Sequence, residues 1–259
     1  MKVTGIDYQD GVYITRMAHG DVRSRYACGS FGKRSNIDVS WTRPFTTHLK
    51  NSLNNYIGVK YHLRGDFRSD AVELHLFDKG YAGLVKIDGD KFNLCYLTTA
   101  DNLRQSGNSI ERMEEEVLTR NPFIKRILAE GERLTEKPVT ISQISFEQKE
   151  QIEHDVMMVG DAAGMITPLC GNGMSMALNA SKLAAGFIDP FLRGVIDKQQ
   201  LEQDYTAAWQ QHFSKRMTIG RFIQRSLYTP WMSDMMIGLG RISPRLLQVL
   251  IRQTHGKRF

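Results

Sequence analysis

The chain has 259 residues, 41% of them hydrophobic and 24% charged, which excludes a disordered polypeptide and is long enough for one large or two smaller buried cores. No apolar run reaches the roughly 18 residues that cross a bilayer, and Asp7 and Asp10 interrupt the first twenty residues where a signal peptide needs an apolar stretch, so a cytoplasmic setting is expected. The net charge of +6 is localised: after Gly220, seven bases (Arg221, Arg225, Arg241, Arg245, Arg252, Lys257 and Arg258) face one acid, Asp234, and the rest of the chain is neutral.

The chain opens in extended structure. Asp10-Gly11 is a hairpin signal before Val12 to Thr15, and His19-Gly20-Asp21 turns the chain toward Val22 to Ala27. Strand-like stretches follow at 56–63, 71–77, 82–87 and 91–97, and Asp88-Gly89 between the last two predicts an antiparallel sheet. Asn108 and Glu111 have the spacing of a capping box, and Ile110, Met113, Val117 and Leu118 then recur at helical intervals as far as Asn121-Pro122. A short helix is expected over 123–129, strands over 139–146 and 156–159, and long helices over 174–192 and 201–217, the second capped by Asp197 with Gln200. Beyond Gly220 the apolar spacing stays helical, with breaks expected at Pro230 and Pro244.

The bases of that last segment are interleaved with Phe222, Ile223, Trp231, Met232, Met235, Met236 and Ile237. The pattern fits a helical tail packed on its own domain with a solvated basic face, and it also fits peripheral contact with an anionic membrane surface. Nucleic-acid binding is not expected, because the bases form no recognised reading motif. Cys28, Cys95 and Cys170 lie far apart without a C-x-x-C spacing or His companions, which predicts free thiols and no metal site.

One segment carries most of the chemistry. Val156-Met157-Met158-Val159 has the continuous apolar character of a buried strand and runs into Gly160-Asp161-Ala162-Ala163-Gly164. Small residues there let the backbone approach a ligand, and an Asp at the carboxyl end of a strand can accept hydrogen bonds from sugar-like hydroxyls. Pro168 stiffens the next turn, and Gly171-Asn172-Gly173 begins a helix that continues through Met174. The unpaired N–H groups and dipole of a helix N-terminus, about +0.5 charge, favour an anionic group such as the edge of a reduced flavin.

In this order the acid, the proline and the paired glycines resemble the second FAD motif of the geranylgeranyl-reductase-like and aromatic-hydroxylase flavoproteins. The resemblance implies FAD as cofactor, held by Gly160, Asp161, Gly164, Pro168, Gly171, Asn172, Gly173 and Met174, with Asp161 on the ribitol chain and Gly171 to Met174 facing the isoalloxazine ring. The hydroxylase branch commonly has His where this chain has Gly164, which leans toward the reductase-like branch. Tyr26-Ala27-Cys28-Gly29-Ser30-Phe31-Gly32-Lys33-Arg34-Ser35 is similar to the middle motif of the same families, with Phe31 in place of an acid associated with nicotinamide handling. Lys33 and Arg34 could meet a phosphate instead. No G-x-G-x-x-G occurs anywhere, so the resemblance starts shortly before the middle motif, and a truncated product is expected rather than a fold completed by a second polypeptide.

The implied architecture is α/β (mixed α+β): an incomplete FAD-binding domain at 1–50 and 140–195, an antiparallel substrate-domain sheet at 51–139, and a C-terminal helical region at 196–259. The expected activity is that of an FAD-dependent oxidoreductase passing hydride through flavin N5 to a hydrophobic, isoprenoid or lipid-like small molecule, with NAD(P)H a candidate donor. A flavin monooxygenase and a non-catalytic module binding a partner or membrane surface are the alternatives. Leu74, Leu76, Tyr81, Leu84, Phe92, Leu94 and Tyr96 could line the substrate cavity, although their alternation equally describes an ordinary sheet core. No catalytic acid or base is selected.

Overall fold

Asp10 (φ 50°) and Gly11 (φ 80°) close a two-residue hairpin between β1 (Val3–Gln9) and β2 (Val12–Met17), and β3 (Val22–Ser24) adds a third antiparallel strand. Two left-handed residues in succession match the right-handed twist of the flanking strands, which is why an Asp-Gly pair sits there. The computed structural model describes residues 2–48 and 53–243, together with Arg245 and Gln248. In chain order there follow β4 (Cys28–Gly29), α1 (Asn36–Ser40), α2 (Pro44–Thr47), β5 (Tyr56–Arg64), β6 (Val72–Phe77), β7 (Gly80–Lys86) and β8 (Lys91–Thr99). Next come α3 (Ala100–Gln105), α4 (Ile110–Glu116), α5 (Pro122–Glu130), β9 (Glu132–Arg133), β10 (Val139–Ile144), β11 (Ile152–Glu153) and β12 (Val156–Met158). The helices α6 (Gly173–Leu192), α7 (Lys198–Trp209), α8 (Lys215–Leu227) and α9 (Pro230–Ile242) complete the described elements. Mixed helices with antiparallel sheets match the α/β class expected from the sequence.

The chain divides into two compact units, one formed by Met1–Lys50, Ser145–Ser226 and Asp234–Phe259, the other by Asn51–Ile144 and Leu227–Ser233. In the first, β12 pairs antiparallel with β11 and parallel with β4, placing Met157 opposite Cys28 and Met158 opposite Gly29. Val156, Met157 and Met158 are all fully buried, as an apolar run without alternation requires. Met176, Ala180 and Ala184 of α6 and Leu201, Tyr205 and Trp209 of α7 belong to the same core. Tyr205 donates its hydroxyl proton to the Met158 carbonyl at 2.7 Å and Tyr13 donates to the Asp155 carbonyl at 2.8 Å, so both rings bury area without stranding a polar atom.

Asp197 caps α7 by accepting from the Gln200 N–H, as the spacing predicts. The helix expected to end at 217 instead runs on through a π-turn at Gln210–Ser214 and through α8. Gly220 does not stop it: a Cβ there would lie 3.0 Å from Thr167 Oγ1 and 3.1 Å from Cys170 Sγ, so the glycine allows close approach. Pro230 opens α9 at its first turn, where a missing N–H costs nothing. Pro244, Arg252, Lys257 and Arg258 lie outside the described residues, as do the side chains of Met236, Ile237 and Arg241. No helix among the described residues is long and apolar enough to cross a membrane. All three cysteines are free thiols.

The second unit is built on a sheet of order β10-β5-β8-β7-β6, with β9 also paired to β5. Nine successive pairs, from Tyr56 opposite Thr99 to Arg64 opposite Lys91, set its register. One face carries Val59, Tyr61, Leu84, Phe92, Leu94 and Tyr96, packed with Met113, Ile124 and Ile127 of α4 and α5. The opposite face presents Val72, Leu74, Val139 and Ile141 exposed, Leu74 at 53% and Ile141 at 43%. The residues considered for a cavity wall therefore separate: Leu84, Phe92, Leu94 and Tyr96 are core, while Leu74, Leu76 and Tyr81 alternate onto the other side. The N-cap of α4 is Ser109 rather than Asn108, because Asn108 takes a left-handed φ of 60° in the turn after α3 and Ser109 Oγ accepts from the Arg112 N–H.

Glu114 is the buried polar centre of this unit. It accepts hydrogen bonds from the Tyr61 and Tyr96 hydroxyls at 2.7 and 2.8 Å and pairs with Arg133 at 2.8 Å. Burial, reinforced by the adjoining carboxylate, holds both phenols well above their ordinary range, so they stay donors. Glu114→Ala strands two buried hydroxyls and should lower the unfolding free energy by about 2–4 kcal/mol; a urea titration with an unchanged midpoint would refute this.

Candidate functional site

β12 delivers the chain to Gly160, whose φ of 63° starts a single 3-10 turn over Gly160–Ala162, closed by the Ala163 N–H donating to the Gly160 carbonyl at 3.0 Å. A Cβ on Gly160 would lie 3.4 Å from the Ala177 Cβ, so the glycine serves the left-handed turn and lets α6 pass close by. Asp161 projects from this turn, half-buried, and its carboxylate has no hydrogen-bonding partner among the described residues. Burial raises its pKa and the nearby Lys149 draws it back down.

The turn is held from behind by side chains that sequence reasoning did not single out. Arg43, only 1% exposed, pairs with Asp38 at 2.8 Å and Glu153 at 3.4 Å and donates to the carbonyls of Ala162 at 3.1 Å and Glu150 at 3.3 Å. Asp38 is fixed in turn by the capping box of α1, in which it accepts from Ser35 N–H while Ser35 Oγ accepts from its own N–H. Lys149 Nζ donates to the Asp161 carbonyl at 2.9 Å and the Lys33 carbonyl at 2.8 Å, and Gln151 Nε2 donates to the carbonyls of Lys149 and Ala163. Arg43 and Lys149 sit in polar stretches that read as solvated loop; only the tertiary fold buries them.

From Gly164 the chain returns toward α6. Gly164 is required both by its φ of 155° and by packing, since a Cβ would lie 2.8 Å from Met217 Cε and 3.1 Å from the Trp209 ring. Pro168 opens a second 3-10 turn, and Gly171, at φ 68° with open space around it, ends that turn. Asn172 is the N-cap of α6 without a side-chain capping bond, Gly173 is the first helical residue, and Met174 is 85% exposed. The first-turn N–H groups of α6 thus gain no cap from Asn172.

Gly160, Asp161, Gly164 and Gly173 come together around a cavity of about 10 Å³, shared with Trp209 and Phe213 on either side of the π-turn junction. That room suits at most one water, so a larger ligand would meet the outer side of the turn. Pro168, Gly171, Asn172 and Met174 lie in the adjoining loop and helix start, outside that lining. Trp209 and Phe213 were missed because a helical apolar stripe reads as core, which they also are. In the other glycine-bearing segment, Phe31 packs over Gly29 and edge-on to Trp41, and a cleft of about 410 Å³ opens beside it, bordered by Ile6, Tyr26, Cys28, Ser30 and Ser35. Burial and the adjacent Arg34 lower the pKa of Lys33.

A buried strand ending in a Gly-Asp turn and backed by a helix, in a chain that also holds an antiparallel sheet unit, is a fold shared with solved flavin-dependent proteins, among them a geranylgeranyl bacteriochlorophyll reductase-like protein and an FAD complex. More particularly, the squalene epoxidase family model matches residues 116–235, a little under half of the chain. Conditioned medium factor receptor 1 of Dictyostelium discoideum is 29% identical over 154 residues, covering 56% of this chain and 29% of that protein. Among solved structures, a geranylgeranyl bacteriochlorophyll reductase-like protein of Thermoplasma acidophilum superposes with a TM-score of 0.71 at 17% identity, over 88% of this chain and 57% of that one. HpxO of Klebsiella pneumoniae, in complex with FAD and uric acid, gives 0.69 at 13% identity, over 98% and 66%. The chain thus spans under a third of its curated relative and about three fifths of these structures.

The two loop glycines should respond differently to substitution. Gly164→Ala drives a methyl into Met217 and Trp209 and should cost about 2–3 kcal/mol, whereas Gly171→Ala meets no atom within 4 Å and costs only the left-handed backbone, about 1 kcal/mol. Thermal melts of the two variants test the order; equal losses would remove the packing account of Gly164.

Proposed function

We propose that this chain supplies the flavin-facing part of an FAD-dependent oxidoreductase acting on a hydrophobic, isoprenoid or lipid-like small molecule. The carrying observation is Asp161: a half-buried carboxylate with no internal hydrogen-bond partner, at the carboxyl end of a buried strand and beside the start of a twenty-residue helix. In this reading residues 1–50 and 140–195 form the FAD-binding domain, 51–139 the substrate domain and 196–259 the helical region.

The residues present suit FAD. Asp161 would accept from the ribitol hydroxyls, Gly160 and Gly171 leave the backbone accessible, and the N-terminal turn of α6 at Asn172 to Met174 would face the electron-rich edge of the ring. Bound FAD would supply two-electron chemistry at N5, with NAD(P)H the first donor to test. The name of the squalene epoxidase family supports a hydrophobic substrate. That match favours oxygenation as a second reading, while Gly164 and the reductase-like neighbour favour hydride transfer to the substrate. Oxygen uptake with an oxygenated product separates the first outcome from a saturated product without uptake.

Asp161→Ala should weaken FAD binding at least tenfold, the effect of losing a charge-assisted hydrogen bond worth about 1.5–3 kcal/mol. Fluorescence titration of purified protein checks this. Flavin binding by neither form would leave the non-catalytic binding module as the surviving interpretation.

A peripheral membrane role is part of the proposal, because Phe222, Trp231, Met235 and Ile242 are exposed on α8 and α9 among the bases of the last segment. Co-sedimentation with vesicles containing anionic lipid, lost with neutral vesicles and weakened by salt, is the expected result. Equal recovery with both vesicle types would point away from the basic segment.

A further inference from the structure

We propose that Lys149 is a positioning residue of the cofactor turn, its ammonium fastening the segment 30–35 to the Gly160–Ala163 turn through the carbonyls of Lys33 and Asp161. The role deepens the flavin reading and rests on it.

The geometry is unusual for a lysine. At 4% exposure Lys149 is nearly removed from water, yet no carboxylate among the described residues pairs with it. Its partners are two main-chain carbonyls, at 2.8 and 2.9 Å, and the face of Phe45, 4.1 Å from Nζ to the ring centroid. Burying an ammonium without a counterion is costly, and an apolar side chain would fill the same volume more cheaply. What an apolar residue cannot do is join two carbonyls from segments far apart in sequence. Both segments bear the glycines that resemble FAD motifs; the β4–β12 pairing ends at Gly29 and Val159, and past that point Lys149 ties the two turns together.

The charges around Lys149 tune it. Arg43 and Lys33 disfavour its charged form, Asp38 and Asp161 favour it, and burial, the largest influence, brings its pKa down to about 8. Between about 8 and the ordinary lysine value the unfolded chain holds a proton that the folded chain has released, so this group's contribution to global stability rises with pH in that window. Loss of the ammonium is therefore not read from unfolding. It is read locally and in the binding of an anionic cofactor, which should weaken as pH rises through about 8 because the free protein must take up a proton to restore the charge.

The test compares wild type with Lys149→Met. Hydrogen exchange at pH 7, followed by mass spectrometry, should show peptides covering 30–35 and 160–164 exchanging about tenfold faster together in the variant, with peptides of β5 unchanged. Unchanged exchange, or a change in one segment alone, overturns the tie. If Lys149→Met does not fold, the wild type still decides: its FAD affinity should fall by up to about tenfold per pH unit above 8, and a flat profile overturns the proposal. In a folded Lys149→Met the affinity should be at least tenfold lower at pH 7 and nearly independent of pH. Flavin bound equally by both proteins rejects the role of Lys149 alone, whereas no flavin bound by the wild type rejects the flavin reading itself.

Discussion

A buried apolar strand that must end in a left-handed turn is the constraint around which the first unit is organised. Val156 to Met158 are inaccessible on both faces, so the chain has to leave the sheet abruptly, and Gly160 makes that exit without a side-chain clash. The polar main-chain groups released at the turn lie inside the protein, where an unmet carbonyl is expensive. Arg43, Lys149 and Gln151 meet them, which is why three polar side chains are drawn into a region the core would otherwise reserve for apolar ones.

The same constraint connects stability to chemistry. One of the side chains that satisfy the carbonyls also sets how charged the surroundings of Asp161 are, since Lys149 offsets the effect of burial on that acid. On the other side of the turn α6 approaches along small residues, with Ala177 close to Gly160. The half-buried carboxylate and the helix start are thus presented by one turn and one loop whose backbone is fixed by buried side chains.

In the sheet unit the physics is different. Two helices cover one face, Tyr56, Tyr81 and Leu97 are buried on the other, and the buried hydroxyls of Tyr61 and Tyr96 are reconciled with an apolar core by a single carboxylate, Glu114. Leu74 on β6 and Val139 and Ile141 on β10 are exposed at opposite edges of that sheet, where isolated apolar side chains need no partner.

Much of the architecture was legible in the sequence. The Asp10-Gly11 hairpin, the strands between Tyr56 and Thr99, the buried strand at Val156 and the cap at Asp197 follow from turn chemistry and periodicity, which are local properties of the chain. The turn at Gly160 and the start of α6 at Gly173 were legible for the same reason, since glycine punctuation is local. Sequence could not say which face of the alternating strands would be covered, since the helices that cover it arrive later in the chain. Nor could it show that Gly164 and Gly220 are glycines because other elements pass close by. Above all, Arg43 and Lys149 stand in polar stretches where solvation is the default. Only the packing of α1, α2 and the Gly160 turn removes their water and replaces it with carbonyls, because burial depends on the whole fold rather than on any window of residues.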